Sequence, residues 1–224
     1  MLREAISGNI GLVEFITYAI SCFVVIFLTL PIHEYAHAFA ANKLGDNTAR
    51  YMGRLTLNPF AHIDWIGAAC ILFFGFGWAR PVPVNSRNLK YGKGGMAITA
   101  FAGPLSNLIL AFISMLFMFL ISLIFYSSNI TFYIVTFFYY VTTINIHLAV
   151  FNLIPVPPLD GSKILAAVLS NHIYYKLMQY ERYLSIIILV LLYTGVLSRP
   201  LGIVSDAIYR GFFNILNAIF TLFF

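Results

Sequence analysis

The chain has 224 residues, of which 61% are hydrophobic, 17% aromatic and only 9% charged, and this composition excludes an ordinary soluble domain. The excess of 13 Lys and Arg over 8 Asp and Glu gives a net charge of +5, which in so apolar a chain indicates membrane orientation rather than nucleic-acid binding. Cys22 and Cys70 lie in apolar stretches without paired spacing, so neither a disulfide framework nor a cysteine metal site is predicted. We expect an integral membrane protein without a nucleic-acid partner.

The first half of the chain contains one long apolar helix and one short apolar run. The helix is predicted from about Val13 to about Leu44, and a polar loop with two arginines follows over Gly45 to Trp65. The run from Ile66 to Trp78 has 13 residues, too few for an untilted span, so it predicts a re-entrant hairpin or a partial insertion that returns the chain to the same side. A second charged loop covers Arg80 to Lys93.

Two long hydrophobic helices are predicted next, from about Met96 to Tyr126 and from about Thr131 to Leu153, joined by the uncharged turn Ser127-Ser128-Asn129. A proline-rich segment and a mixed segment precede an apolar helix from about Tyr183 to Leu197. We expect a break at Arg199-Pro200.

The last segment runs to Phe224 and carries polar residues at helical spacing on one side, so it either spans the membrane or lies in the interface. These polar residues are Asp206, Arg210, Asn214 and Asn217. The predicted fold class is an all-α polytopic membrane protein, a bundle of about four to six transmembrane helices with a short re-entrant segment.

Basic residues fall on one side of this arrangement, which the positive-inside rule identifies as the cytoplasm. They are Lys43, Arg50, Arg54, Arg80, Arg87, Lys90, Lys93, Lys163, Lys176 and Arg182. The N-terminus and the turn at residues 127–129 are then expected to face outward.

The strongest chemical signal is His33-Glu34-Tyr35-Ala36-His37, an H-E-x-x-H pattern. Residues i and i+4 share a helix face, so both imidazoles can point at one zinc ion while Glu34 reaches the attacking water. A chance match is the alternative. It is disfavoured because ionisable groups are costly inside a membrane helix.

A catalytic zinc site needs a third protein ligand, and Asp160 is the candidate. It follows a helix that ends in a segment with three prolines, and Gly161 permits a sharp turn. The alternative is a solvated aspartate in a surface loop. The helix with the histidines and the helix before Asp160 both run from outside to inside, so Asp160 reaches the same end of the bundle as the histidines. Lys43 lies ten residues after His33, so the metal is expected about 15 Å inside the cytoplasmic face.

These motifs make the chain resemble the site-2 proteases, the intramembrane zinc metalloproteases of peptidase family M50, and it looks closest to the compact bacterial branch without PDZ or CBS domains. The resemblance rests on the H-E-x-x-H motif, on Gly103-Pro104-Leu105-Ser106-Asn107 and on the segment from Asn152 to Gly161. Trp65 stands where that branch would lead us to expect proline.

The resemblance implies one Zn²⁺ per chain, held by His33, His37 and Asp160, with Glu34 as general base and Asn152 stabilising the oxyanion. It also implies transmembrane protein substrates in a lipid bilayer, and a regulatory membrane partner or a homo-oligomer remains open. The expected location is the cell membrane, multi-pass, with the active site toward the cytoplasm. Residues 1–224 would form one membrane domain, with a catalytic core at about 13–165 and C-terminal membrane segments at about 183–224.

Two rival functions remain open at this stage. A membrane metal or ion transporter could use the same His and Asp ligands, but it does not need a glutamate directly after the first histidine. A non-catalytic scaffold could keep the metal for stability and would tolerate the loss of Glu34. The roles of His62, Asn107 and Asn145 are not determined by the sequence, and His147 is expected to be a packing histidine rather than a metal ligand.

Overall fold

The computed structural model describes residues 11–74, 77–125 and 129–223, and every regular element within these ranges is a helix. This confirms the all-α fold class. The predicted outward N-terminus and residues 127–128 of the predicted turn lie outside the described residues.

The first long helical stretch has three consecutive parts. Helix α1 (Leu12–Val24) continues into a π-helical turn (Val25–Thr29) and then into α2 (Leu30–Lys43). Pro31 stands in the first turn of α2, where a missing N–H is tolerated. The prediction of a helix from about Val13 to Leu44 is therefore confirmed, with a π-helical turn inside it that the sequence did not indicate.

The connecting region forms three short helices, and the last of them begins a hairpin. These helices are α3 (Thr48–Tyr51), α4 (Pro59–His62) and α5 (Trp65–Phe74). After α5 the chain doubles back, and two contacts show this. Gly67 lies so close to Trp78 that an added Cβ would overlap the backbone of Trp78, and Arg80 N donates to His62 O at 2.8 Å. The predicted hairpin is thus present, and its insertion into a membrane stays a prediction.

Helices α6 (Lys93–Ile124) and α7 (Asn129–Asn152) run antiparallel and pack extensively on each other. With the first helical stretch they give three segments long and apolar enough to cross a membrane: Leu12–Lys43, Lys93–Ile124 and Ile130–Asn152. This criterion does not confirm the predicted total of four to six spans.

The rest of the chain forms four helices around the first bundle: α8 (Asp160–Leu165), α9 (Asn171–Gln179), α10 (Glu181–Tyr193) and α11 (Ser198–Phe223). The predicted break at Arg199-Pro200 is wrong, because the turn occupies residues 194–197 and Pro200 lies within the first turn of α11. Proline is compatible with that position, since its absent N–H would have no intrahelical partner there.

Helix α11 lies lengthwise against the α6–α7 pair and runs parallel to α6. Leu201 packs against the cluster formed by Ala111 of α6 with Ile146 and Val150 of α7, whereas Leu216 packs with Met115 and Met118 farther along α6. The hydrophobic contacts therefore extend along most of the length of α11.

Candidate metal centre

Helix α2 presents His33, Glu34 and His37 toward the interior of the bundle. All three side chains are buried, and the two imidazole rings meet edge to face with centroids 4.7 Å apart. This is the arrangement expected from i, i+4 spacing on an α-helix. The predicted pair of adjacent histidines is therefore present in the fold.

Asp160 reaches the histidines because the chain leaves α7 in an irregular segment. Residues 153–159 are non-helical, with a cis peptide bond between Pro157 and Pro158, and helix α8 begins at Asp160. An added Cβ on Gly161 would overlap the carbonyls of Leu153 and Ile154, so only glycine allows this tight return. The carboxylate of Asp160 is buried, which excludes the alternative of a solvated loop aspartate.

Three potential ligand atoms converge at one point. Asp160 Oδ2 lies 3.0 Å from His37 Nε2 and 3.3 Å from His33 Nε2, and the two imidazole nitrogens are 3.1 Å apart. A tetrahedral zinc ion with bonds of about 2.0–2.1 Å separates its ligands by roughly 3.3 Å. The spacing therefore matches the ligand set of a zinc ion.

The hydrogen-bond partner of His37 fixes which ring nitrogen is available. His37 Nδ1 lies 2.7 Å from the carbonyl oxygen of Thr99 and must donate to it, because a carbonyl only accepts. In the neutral ring Nε2 then directs a lone pair at Asp160 Oδ2, and these atoms repel unless a proton or a metal ion lies between them. A backbone carbonyl on the outer nitrogen is the partner that metal-bound histidines commonly have.

Helix α6 forms the wall behind the two imidazoles. An added Cβ on Gly103 would overlap His37 Nε2 and would stand 2.7 Å from His33 Cε1. Thr99 and Asn107 lie one turn before and one turn after Gly103, and Asn107 is fully buried with no partner for either amide atom among the described residues. His33 Nδ1 is likewise buried and without a partner there.

An extended segment from Ala79 to Asn85 passes over Glu34. The N–H of Val82 donates to Glu34 Oε2 at 2.9 Å, so this segment occupies one oxygen of the carboxylate. Arg54 holds the same segment through its guanidinium, which donates to the carbonyls of Arg80 at 2.6 Å and Pro81 at 3.2 Å.

Asp46 anchors the far end of this segment. Its carboxylate accepts from the backbone and hydroxyl of Thr48, from Asn85 N at 2.7 Å and from the amide of Asn88 at 3.1 Å. Burial alone would raise the pKa of Asp46, but these hydrogen bonds outweigh it and hold the pKa below its usual value. The carboxylate therefore stays ionised and connects the two loops near neutral pH.

The converging residues open into a cavity of about 630 Å³. Glu34, Asn152 and Lys163 line it together with the three candidate ligands, and α10 contributes Glu181 and Ser185. The segment containing Pro81 and Val82 forms another wall. This volume is large enough for a short extended peptide segment beside the cluster.

The other polar residues singled out from the sequence lie at different distances from this chemistry. Asn152 lines the cavity, but its amide donates to Leu148 O in its own helix at 3.0 Å. Asn145 donates to Thr29 Oγ1 and Val141 O inside the bundle. His62 is fully buried, its Nε2 lies 2.8 Å from Thr56 O, and burial lowers its pKa.

His147 was expected to be a packing histidine, and the structure places it on the exposed face of α7. Its Nδ1 donates to Thr143 O one turn earlier, and the residue lies outside the cluster of His33, His37 and Asp160. The expected packing role is wrong, because the buried positions of α7 at this level are occupied by its neighbours Ile146 and Leu148.

Sequence reasoning missed two contributors to the site. Lys163 Nζ lies 3.2 Å from Asp160 Oδ1, the oxygen that faces away from the histidines. Its spacing of three residues from Asp160 at a helix start was the available signal. The hydrogen bond from Val82 N to Glu34 leaves no signal in the sequence, because a backbone donor does not depend on the identity of the side chain.

Comparison with known proteins agrees with this geometry. The family model described as "Peptidase family M50" matches residues 120–195. The chain is 39% identical over 213 residues to the "Putative zinc metalloprotease YwhC" of Bacillus subtilis (strain 168), covering 92% of this chain and 97% of the relative. It is 27% identical to the "Putative zinc metalloprotease Rip2" of Mycolicibacterium smegmatis, covering 77% of this chain and 66% of that protein.

No solved structure matches the chain. The relationship to YwhC nevertheless extends over nearly the whole length of both proteins, at an identity that indicates common ancestry. The chain therefore belongs to peptidase family M50, the family of zinc metalloproteases that its sequence motifs predicted.

Proposed function

We propose that the protein is an intramembrane zinc metalloprotease that hydrolyses peptide bonds in or near the transmembrane segments of other membrane proteins, as in regulated intramembrane proteolysis. One Zn²⁺ per chain would be held by His33, His37 and Asp160. The observation that carries the proposal is the convergence of these three buried ligands beside Glu34 in a cavity between apolar helices.

When bound, zinc supplies Lewis acidity that polarises a peptide carbonyl and lowers the pKa of water. Glu34 follows the first ligand in the sequence, and its carboxylate faces the same cavity, where it would accept a proton from the attacking water and return it to the leaving amine. Glu34 Oε2 accepts a hydrogen bond from Val82 N. Either this hydrogen bond would break before proton transfer, or the other carboxylate oxygen would carry the proton.

Asn152 would stabilise the oxyanion that develops at the substrate carbonyl. Its amide lines the cavity but donates to Leu148 O, so a side-chain rotation would be needed before it could donate to substrate. A substrate helix must also unwind at the cut site, because its carbonyls are engaged in intrahelical hydrogen bonds. Helix-weakening residues near the scissile bond should therefore speed cleavage, and equal rates for rigidified substrates would contradict this.

The proposed location is the cell membrane, with a multi-pass chain and the site toward the cytoplasm. Lys43 at the end of α2 and Lys93 at the start of α6 mark the same end of the bundle, near Lys163, and the positive-inside rule assigns that end to the cytoplasm. Single cysteines introduced at Lys43 and Ile130, with Cys22 and Cys70 replaced, would test this. A membrane-impermeant maleimide should label only the Ile130 position from outside intact cells.

We also propose that residues 1–224 act as one membrane domain, with the core at about 13–165 and C-terminal membrane segments at about 183–224. The contacts of α11 along α6 and α7, and the contribution of α10 to the cavity wall, support this.

The decisive experiment is cleavage of a panel of single-span substrates by the purified protein, loaded with zinc in lipid nanodiscs. Glu34→Gln should retain the metal, measured by elemental analysis, and lose cleavage by at least about 10²-fold. Glu14→Gln is a matched control, because it makes the same change in the same helical stretch and lies outside the cavity. It should cleave like the wild type.

Cleavage by Glu34→Gln at the wild-type rate would refute the catalytic role. If no variant cleaves any substrate although all retain zinc, metal flux into liposomes tests the transporter alternative directly.

A further inference from the structure

A polar groove lies on the outer surface of the bundle, on a different face from the metal centre. It is formed between α7 and α11 and encloses about 230 Å³. Its lining is mostly polar and consists of Tyr139, Thr143, Ile146, His147, Ser205, Asp206, Tyr209 and Arg210.

Several polar groups in this groove have no partner within the described part of the chain. Ser205 is buried, and its hydroxyl makes no hydrogen bond there. Asp206 and Arg210 are exposed, and neither makes a hydrogen bond or an ion pair with the other or with any described residue. The groove thus presents one carboxylate and one guanidinium to a ligand, beside a buried hydroxyl without a partner.

The position of α11 places these charges deep in the proposed bilayer. The helix lies along α7 and runs parallel to α6, and Asp206 and Arg210 lie about 12 and 18 Å from its start at Ser198, at about 1.5 Å per residue. This is near the middle of a hydrocarbon core of about 30 Å. Charges at this depth are costly unless they pair.

The polar stripe continues outward along the same face of α11. Asn214 and Asn217 follow Asp206 and Arg210 at spacings of four and three residues, and all four are exposed. Such spacing is typical of the contact line between two helices that cross at a small angle. The whole stripe carries no net charge.

We infer that this stripe is the contact surface between two copies of the chain, related by a two-fold axis along the membrane normal. Two copies in one membrane have the same orientation, so their α11 helices meet in parallel and each residue faces its equivalent. Asp206 of each copy then lies diagonally opposite Arg210 of the other, which gives two ion pairs. Asn214 and Asn217 each meet their own equivalent, and an amide can donate to and accept from a second amide.

The chemistry of the groove favours a second copy over other occupants. A lipid head group is disfavoured because the groove lies at the depth of acyl chains. A second α11 helix supplies the cation for Asp206 and the anion for Arg210 from one helical turn away, about 6 Å along the axis, and an amide opposite each asparagine. This inference rests on the proposal that α11 crosses the bilayer and does not depend on catalysis.

The test uses charge reversal in full-length protein reconstituted in nanodiscs, with stoichiometry measured by native mass spectrometry. Wild type should be dimeric. Asp206→Arg and Arg210→Asp should each lower the dimer population at least tenfold, because each variant replaces both diagonal ion pairs by pairs of like charges. Mixing the two variants, carrying different affinity tags, should restore a mixed dimer that co-purifies, which an ion pair within one helix cannot explain.

Arg182→Asp is the matched control, since it makes the same charge change at an exposed residue of α10 outside the stripe, and it should leave the dimer intact. In a variant lacking Cys22 and Cys70, Asn214→Cys should cross-link to itself, whereas Ile215→Cys, about 100° around the helix, should not. A monomeric wild type, unchanged dimers after charge reversal, or a different membrane protein bound at this face would each overturn the inference. Zinc content, measured in parallel, separates misfolding from loss of the interface.

Discussion

Replacing Gly103 by alanine should damage the metal centre while leaving the helix intact. The added methyl would overlap His37 Nε2 and lie 2.7 Å from His33 Cε1, whereas ordinary contacts begin near 3.4 Å. Both neighbours belong to a packed helix, so one of the rings must shift by the order of an ångström. A displacement of that size in a catalytic constellation costs about 10²-fold in rate.

The assay should measure zinc affinity by competition with a chelator, together with kcat/KM for a cleaved substrate. Gly103→Ala should lose about 10²-fold in kcat/KM, and its zinc affinity should fall as well. Its helix should become no less stable, because alanine is favoured over glycine in a helix by about 0.5–1 kcal/mol. Gly94→Ala in the same helix is the control, since its Cβ would meet only Tyr91 Cβ at 3.8 Å. Wild-type affinity and activity in Gly103→Ala would refute this account of the site.

Two further predictions concern groups that support the site. Lys163→Met removes the partner of Asp160 Oδ1, so its zinc affinity, measured by chelator competition, should fall about 10- to 100-fold. Lys163→Arg should stay closer to the wild type, and equal affinities in all three proteins would contradict a role for this contact. The folded pKa of Asp46 is lowered, so its hydrogen bonds stabilise the loop above its unfolded pKa of about 3.9 and are lost as pH falls through the lower folded value. Limited proteolysis within residues 77–92 should therefore increase at low pH in the wild type, while Asp46→Asn should be cut readily even at pH 7.

The elements of the bundle could be predicted because membrane spans and zinc motifs leave local signals. The H-E-x-x-H spacing requires a helix to bring His33 and His37 together, and uninterrupted apolar length predicted α6 and α7 within a few residues. The position of Asp160 beside the histidines could be predicted because helix direction places the end of α7 at their level.

Other features depend on contacts between distant segments and could not be predicted from the sequence. The Val82 amide on Glu34 joins groups 48 residues apart through a backbone atom that any residue except proline would supply. The hydrogen bond from His37 to the Thr99 carbonyl depends on how far α2 and α6 are shifted along each other, which the composition does not encode. The predicted break at Pro200 is wrong because proline, which can end a helix, also fits the first turn of one.

The π-helical turn at residues 25–29 has a consequence for how this helical stretch tolerates change in length. A π-turn holds one residue more than an α-turn, so it offsets the faces of α1 and α2 by about 100°. Tyr18 uses the face of α1 that meets Tyr140, with ring centroids 5.4 Å apart, while His33 uses the face of α2 that meets α6. Deleting a single residue here would keep the stretch helical and apolar but rotate these two contacts out of phase, so the position acts as a fixed angular spacer that no substitution elsewhere in the helix could replace.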